Sequence, residues 1–75
     1  MPEYHFWSGV VVEVADGWLT VRRSISGREP ELKRFVVNED TAIEGDLHAS
    51  SRVTVAFVES DDGDIAKRIL VRPNP

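Results

Sequence analysis

The sequence predicts an all-β domain, a small OB-like barrel of five strands, or six if a short bridge is counted. Strand-forming residues dominate the composition, with 11 Val, 4 Ile and 3 Thr against 5 Ala and 4 Leu. Apolar stretches of strand length alternate with turn signals at the spacing typical of a small barrel or sandwich. One segment without strand character separates the third and fourth strands, which favours the OB-like arrangement. An SH3-like barrel is the alternative.

The strands are predicted between clear turn signals. They cover about residues 6–15, 18–25, 32–37, 52–59 and 65–71, with a short bridge over 41–43. Asp16-Gly17 supplies the positive φ of a tight hairpin, and Pro30 cannot donate to a strand ladder. Residues 44–51 are long enough for at most one helical turn, with Leu47 as its apolar anchor.

Alternation with a period of two groups the apolar residues of each strand on one face. The groups are Val10, Val12 and Val14, then Leu19, Val21 and Ile25, then Phe35 and Val37 pointing inward with Lys33 beside them or just at the rim, then Val53, Val55 and Phe57. Gly9 inside the first strand is typical of a barrel corner or bulge. The spacing of Ala66, Ile69 and Val71 predicts a bulge in the last strand. We therefore expect one domain over residues 1–75, with an ordered core of about 6–72.

Five short motifs follow one another from Gly9 to Val71. They are Gly9-Val10-Val11, Leu19-Thr20-Val21, Thr41-Ala42-Ile43, Val53-Thr54-Val55 and Ala66-Lys67-Arg68-Ile69. This layout resembles a family of uncharacterised bacterial OB-like β-barrel domains of unknown function. Ser50-Ser51 departs from it, because Gly-Asp usually precedes the fourth strand. The resemblance implies a barrel and assigns no catalytic residue.

Several function classes are disfavoured by missing motifs. The absence of cysteine excludes a disulfide framework, a thiolate metal site and a cysteine nucleophile. The sequence has no phosphate-binding loop, no dinucleotide fingerprint and no serine elbow. We therefore expect no enzyme, no catalytic residue and no cofactor. The start of the chain lacks the features of a secretory signal, and no apolar run is long enough for a membrane span, which predicts a cytoplasmic protein. A mature secreted domain without its signal is the alternative, because it would have the same sequence features.

Metal ligands show no recognisable spacing. His5 and His48 lie far apart in the sequence. The acidic turn around Asp61, Asp62 and Asp64 lacks the pattern of a calcium loop and is more typical of side chains that bond the local backbone. A cation site in this turn is the weakest of the readings, and no metal-binding residue is predicted.

Charge is unevenly distributed along the chain. The net charge is −4, but residues 22–34 carry five basic and two acidic side chains, whereas residues 35–64 carry eight acidic side chains against Arg52. The second and third strands of OB folds form the face that meets oligonucleotides. The candidate binding face comprises Trp18, Arg22, Arg23, Arg28, Lys33 and Arg34. Alternatively, the arginines keep edge strands soluble and Trp7 and Trp18 belong to the core.

The sequence thus predicts a non-enzymatic interaction module of uncharacterised role, whose partner is a protein or a second copy of the chain. The acidic net charge disfavours nucleic acid. Single-stranded nucleic-acid binding through the basic hairpin of the second and third strands is the alternative, with Trp7 and Trp18 as stacking surfaces.

Overall fold

Residues 3–73 are described by the structure, a computed structural model, and they form six strands. The strands are β1 (His5–Ala15), β2 (Trp18–Arg23), β3 (Glu31–Val36), β4 (Ala42–Glu44), β5 (Arg52–Ser60) and β6 (Gly63–Arg72). The predicted all-β, OB-like barrel is confirmed, and β4 is the predicted bridge. Among these residues no helix is long and apolar enough to cross a membrane.

The segment after β4 contains turns and bends, and the helical turn allowed for residues 44–51 does not form. Gly45 and Ser50 have φ values of 103° and 75°, which a right-handed helix does not permit. Leu47 nevertheless packs against the core, as predicted.

The sheet has the strand order β3-β2-β1-β5-β6-β4 and closes on itself where β3 meets β6. β1 pairs with β5 through its first half and with β2 through its second half, and Val10 has partners on both sides. Gly9 lies at this corner, where a Cβ atom would collide with the carbonyl oxygen of Arg22. The barrel can therefore turn here only because residue 9 has no side chain.

Buried apolar side chains from five strands fill the barrel. They are Val11, Leu19, Val21, Phe35, Val53, Val55, Phe57, Ala66 and Ile69. The predicted inward faces of the third and fourth predicted strands, here β3 and β5, are confirmed. The bulge in β6 is confirmed as well, because the pairing with β5 shifts between Ala56 and Phe57.

Two predictions for the first hairpin are wrong. Val11, not the group of Val10, Val12 and Val14, faces the core: it is 1% exposed, while Val12 is 47% exposed. The cause is a shift in the β1–β2 register between Val11 and Glu13, which a strict period of two does not anticipate. β2 also ends at Arg23, and Ile25 instead accepts a backbone hydrogen bond from Arg28 in the following turn.

Candidate functional site

The six residues of the predicted binding face do not share one surface. Alternation along β2 and β3 puts Arg23 and Lys33 on the barrel side of the sheet and the other three predicted binding residues of these strands on its outer side. Arg28 lies in the exposed connection between the two strands. The residues on the outer side are Trp18, Arg22 and Arg34. A continuous basic face on the hairpin is therefore absent, because neighbouring residues on a strand point to opposite sides.

On the outer side, Trp18 is a surface residue that is already partly covered. Its side chain is 43% exposed, and the guanidinium carbon of Arg34 lies 4.3 Å from the centroid of its ring. Trp18 thus stacks on an arginine of its own chain, with the geometry of a cation–π contact.

On the barrel side, Trp7 and Arg23 form the centre of a cluster at one mouth of the barrel. The guanidinium carbon of Arg23 lies 3.9 Å from the centroid of the Trp7 ring. Arg23 also donates a hydrogen bond of 2.7 Å to Glu31, its register partner on β3. Trp7 packs against the core, so its ring forms the floor on which Arg23 rests.

Lys33 adds a second cation to this mouth. Its ammonium lies 5.2 Å from the ring centroid of Trp7 and 5.0 Å from that of Phe57. It pairs with Asp64 at 3.1 Å, and the two side chains are only 27% and 23% exposed. Asp64 is therefore paired with Lys33 at the mouth and does not join Asp61 and Asp62 in a cation site in the acidic turn. Within residues 3–73 no three His, Cys, Asp or Glu side chains converge as a metal site.

His5 and Glu59 lie together at the same mouth. The Nε2 atom of His5 is 3.2 Å from an Oε1 atom of Glu59, and the His5 ring lies 5.5 Å from the ring of Phe57, its register partner on β5. Both side chains are substantially exposed. The sequence shows no spacing that points to this pair, because the two residues are 54 positions apart. An antiparallel pairing of the first and fourth predicted strands would have predicted it, because that pairing brings His5 and Glu59 to the same end of the barrel.

His48, the second histidine, is placed elsewhere. It lies in the segment between β4 and β5, where its Nδ1 atom is 2.9 Å from the carbonyl oxygen of Ala49. The backbone N–H of His48 also donates to the hydroxyl of the buried Ser51. The two histidines therefore belong to separate sites.

The remaining polar atoms of the mouth are donors. The buried Nε1 atom of Trp7 and Nε atom of Arg23 have no hydrogen-bond partner within residues 3–73. An N–H group does not ligate a metal ion, and the Glu31 and Asp64 carboxylates are already paired with cations. The His5–Glu59 pair is therefore the part of this mouth that presents an imidazole and a carboxylate side by side.

Comparison with known proteins identifies relatives of the fold. No protein-family model matches the chain, and no curated protein matches it. Among solved structures, the chain is similar to Ag(I)-bound CusF, with a TM-score of 0.79, 18% identity, and coverage of 95% of this chain and 100% of that one. It is similar to apo-CusF from Escherichia coli, with a TM-score of 0.79, 17% identity, and coverage of 97% and 92%. It is also similar to an E. coli CusF variant in which a tryptophan is replaced by alanine, solved with Cu(II). The TM-score is 0.78 and the identity 18%, with coverage of 97% of this chain and 96% of that one.

These neighbours share the fold, and they contradict two predictions made from the sequence. We predicted an interaction module for a protein partner or for single-stranded nucleic acid, whereas these similar structures are of CusF, which was solved with Ag(I) and with Cu(II). The prediction of a cytoplasmic protein is likewise contradicted by these neighbours. Neither prediction is kept. The resemblance to an uncharacterised bacterial family and the absence of enzymatic activity stay predictions.

Proposed function

We propose that this barrel binds a transition-metal ion of intermediate softness, such as Cu(II) or Zn(II), with His5 and Glu59 as its protein ligands. The observation that carries the proposal is the 3.2 Å approach of the His5 Nε2 atom to the Glu59 carboxylate. Neighbours of the same fold solved with metal ions support it. The proposal is one of binding and contains no catalytic step.

The donor chemistry of the chain decides which ions fit. Soft monovalent ions such as Ag(I) prefer thiolate and thioether ligands. The chain has no cysteine, and its one methionine, Met1, lies outside the described residues. Imidazole suits Cu, Zn and Ni, and a carboxylate oxygen completes a pair with these ions. The pair therefore fits a borderline divalent ion, with water in the remaining positions.

Nearby charges do not oppose a cation at this pair. Arg23 is paired with Glu31, and Lys33 is paired with Asp64. Glu59 adds a negative charge directly beside the imidazole, and Coulomb attraction at this range favours a divalent ion. The two fixed cations of the mouth are thus largely compensated before the metal arrives.

Calorimetric titration of the full chain with Cu(II), Zn(II) and Ag(I) tests the proposal. We expect one saturable site for Cu(II), weaker binding of Zn(II), and the weakest binding of Ag(I), following the ligand preferences of these ions. His5→Ala and Glu59→Gln should each weaken Cu(II) binding at least tenfold. His48→Ala is the matched control and should leave it unchanged, because the two histidines lie in separate sites.

A second readout locates the ion. In a Trp18→Phe variant the remaining tryptophan is Trp7, two residues from His5 on the same side of β1. Bound Cu(II) should quench its fluorescence, and His5→Ala should abolish the quenching. Loss of binding in His48→Ala but not in His5→Ala would move the site to the other histidine. The absence of saturable binding of any of these ions would refute the proposed function.

A further inference from the structure

A cleft lies at the end of the β2–β3 hairpin where β2 begins, away from the end where Arg23 contacts Trp7. Its volume is about 400 Å³. It is lined by the apolar side chains of Val14, Trp18, Leu19, Val37, Ile43 and Leu47. Leu19 is fully buried, and Val37 and Leu47 pack against the core, so the floor of the cleft is fixed by the fold.

The rim of this cleft exposes apolar surface that the core does not use. Val14, Trp18 and Ile43 are each exposed over more than two-fifths of their surface. They come from three different strands, β1, β2 and β4, so their convergence is a product of the fold. An apolar cleft with a volume of a few hundred Å³ at the end of a β-barrel is a common location for a small ligand.

The charged groups of the cleft have one sign. Asp16 and Glu39 line it, and no lysine or arginine does. Within the described part of the chain, neither carboxylate takes part in an ion pair. Arg34 covers one face of Trp18 but does not line the cleft. An anionic ligand would therefore meet two uncompensated carboxylates, and a cationic one would be attracted.

We propose that this cleft binds a small amphiphilic amine. Its apolar body would lie on Trp18, Ile43 and Leu47, and its protonated amino group would lie between the ends of Asp16 and Glu39. The volume falls in the range of small-molecule sites, about 300–1,000 Å³. The cleft is separate from the His5–Glu59 pair, so this inference stands independently of metal binding.

Three probes with the same chain length test the proposal: octylamine, octanol and octanoate. Each is added below its solubility limit, and octylamine and octanoate below their micelle concentrations, to the ¹⁵N-labelled full chain. The indole N–H signals of Trp18 and Trp7 are followed by NMR. We expect octylamine to shift the Trp18 signal saturably and leave the Trp7 signal in place. Its affinity should exceed that of octanol about fivefold, the contribution of one exposed charge pair, and octanoate should bind most weakly.

Variants separate the charge from the apolar surface. Asp16→Asn with Glu39→Gln should reduce octylamine affinity to that of octanol, whereas Asp61→Asn with Asp62→Asn, in an exposed turn, is the matched control and should not. Ile43→Asn, at an exposed position, should weaken binding of both probes. The proposal would be overturned by any of three results: octanoate binds as tightly as octylamine, the Asp16/Glu39 variant keeps the full octylamine affinity, or no probe shifts the Trp18 signal. Cu(II) binding by the Asp16/Glu39 variant should be unaltered, so the two proposals fail separately.

Discussion

Arg23 lies over Trp7, with its guanidinium carbon 3.9 Å from the centroid of the indole ring, and the same guanidinium donates a hydrogen bond of 2.7 Å to Glu31. One side chain therefore ties β1, β2 and β3 together at the mouth of the barrel. Its planar shape allows stacking and hydrogen bonding at once, which a lysine ammonium cannot reproduce.

Removal of this side chain should destabilise the barrel. We expect Arg23→Ala to lower the free energy of unfolding by about 1–2 kcal/mol, because a partly desolvated cation–π contact and the bond to Glu31 are lost together. Arg28→Ala, in the exposed connection, should change it by less than about 0.5 kcal/mol. Urea denaturation followed by circular dichroism measures both. Equal effects of the two substitutions would show that neither the contact with Trp7 nor the bond to Glu31 stabilises the barrel.

The Lys33–Asp64 pair should couple energetically, since both side chains are mostly buried. Asp64→Asn leaves the Lys33 ammonium beside two aromatic rings without its counter-charge, and we expect a loss of about 1 kcal/mol or more. Lys33→Met with Asp64→Asn should recover part of that loss, because no charge remains unpaired. A double-mutant cycle from chemical denaturation gives the coupling. Strict additivity of the two single substitutions would contradict this.

Gly9 and Gly27 should respond differently to alanine. At Gly9 the new methyl group would collide with the backbone of Arg22, which cannot move without opening the β1–β2 pairing. We expect a loss of about 3 kcal/mol. Gly27 has open space but a φ of 80°, so alanine there should cost about 1–2 kcal/mol of backbone strain. Melting temperatures of the two variants rank them, and a Gly9→Ala protein as stable as Gly27→Ala would contradict the collision.

Substitutions at Ser50 and Ser51 should affect stability differently, since only Ser51 is buried and only Ser50 has a positive φ. Ser51 is 2% exposed, and its hydroxyl accepts a hydrogen bond from the backbone of His48. Ser51→Ala leaves that partly buried N–H unpaired and should cost about 1 kcal/mol. Ser50 has a positive φ, so Ser50→Gly should be neutral or slightly stabilising, and Ser50→Val strongly destabilising. Thermal denaturation of the three variants checks this order.

Much of the fold was predictable because it depends on local patterns. The turn at Asp16-Gly17, the inward residues Phe35 and Phe57 and the bulge in β6 follow from spacing along the chain. The bulge in β1 was not predictable in this way. A single extra residue exchanges the two faces of a strand, and three consecutive valines at 10–12 carry no sign of which one points inward.

The candidate site was much less predictable, since it depends on which strands are neighbours. Arg22 and Arg23 are adjacent in sequence, yet the pleat sends them to opposite sides of the sheet. His5 meets Glu59 only because β1 pairs with β5. The composition gives the charges and the absence of cysteine, but it could not say that Arg23 and Lys33 would already be paired with carboxylates.

The closure of the sheet has a consequence for the motions of the barrel. β3 joins β6 through one registered pair, Val36 and Ile65, which lie 29 positions apart in the sequence. Contacts of this kind form late in folding, because the intervening chain must be ordered before they contribute. Their amides should exchange with solvent through local opening, well before global unfolding, while the amides between β5 and β6 should be protected longest. We therefore expect the hairpin of β2 and β3 to separate from β6 as a unit once the Lys33–Asp64 pair opens, while the rest of the sheet stays paired.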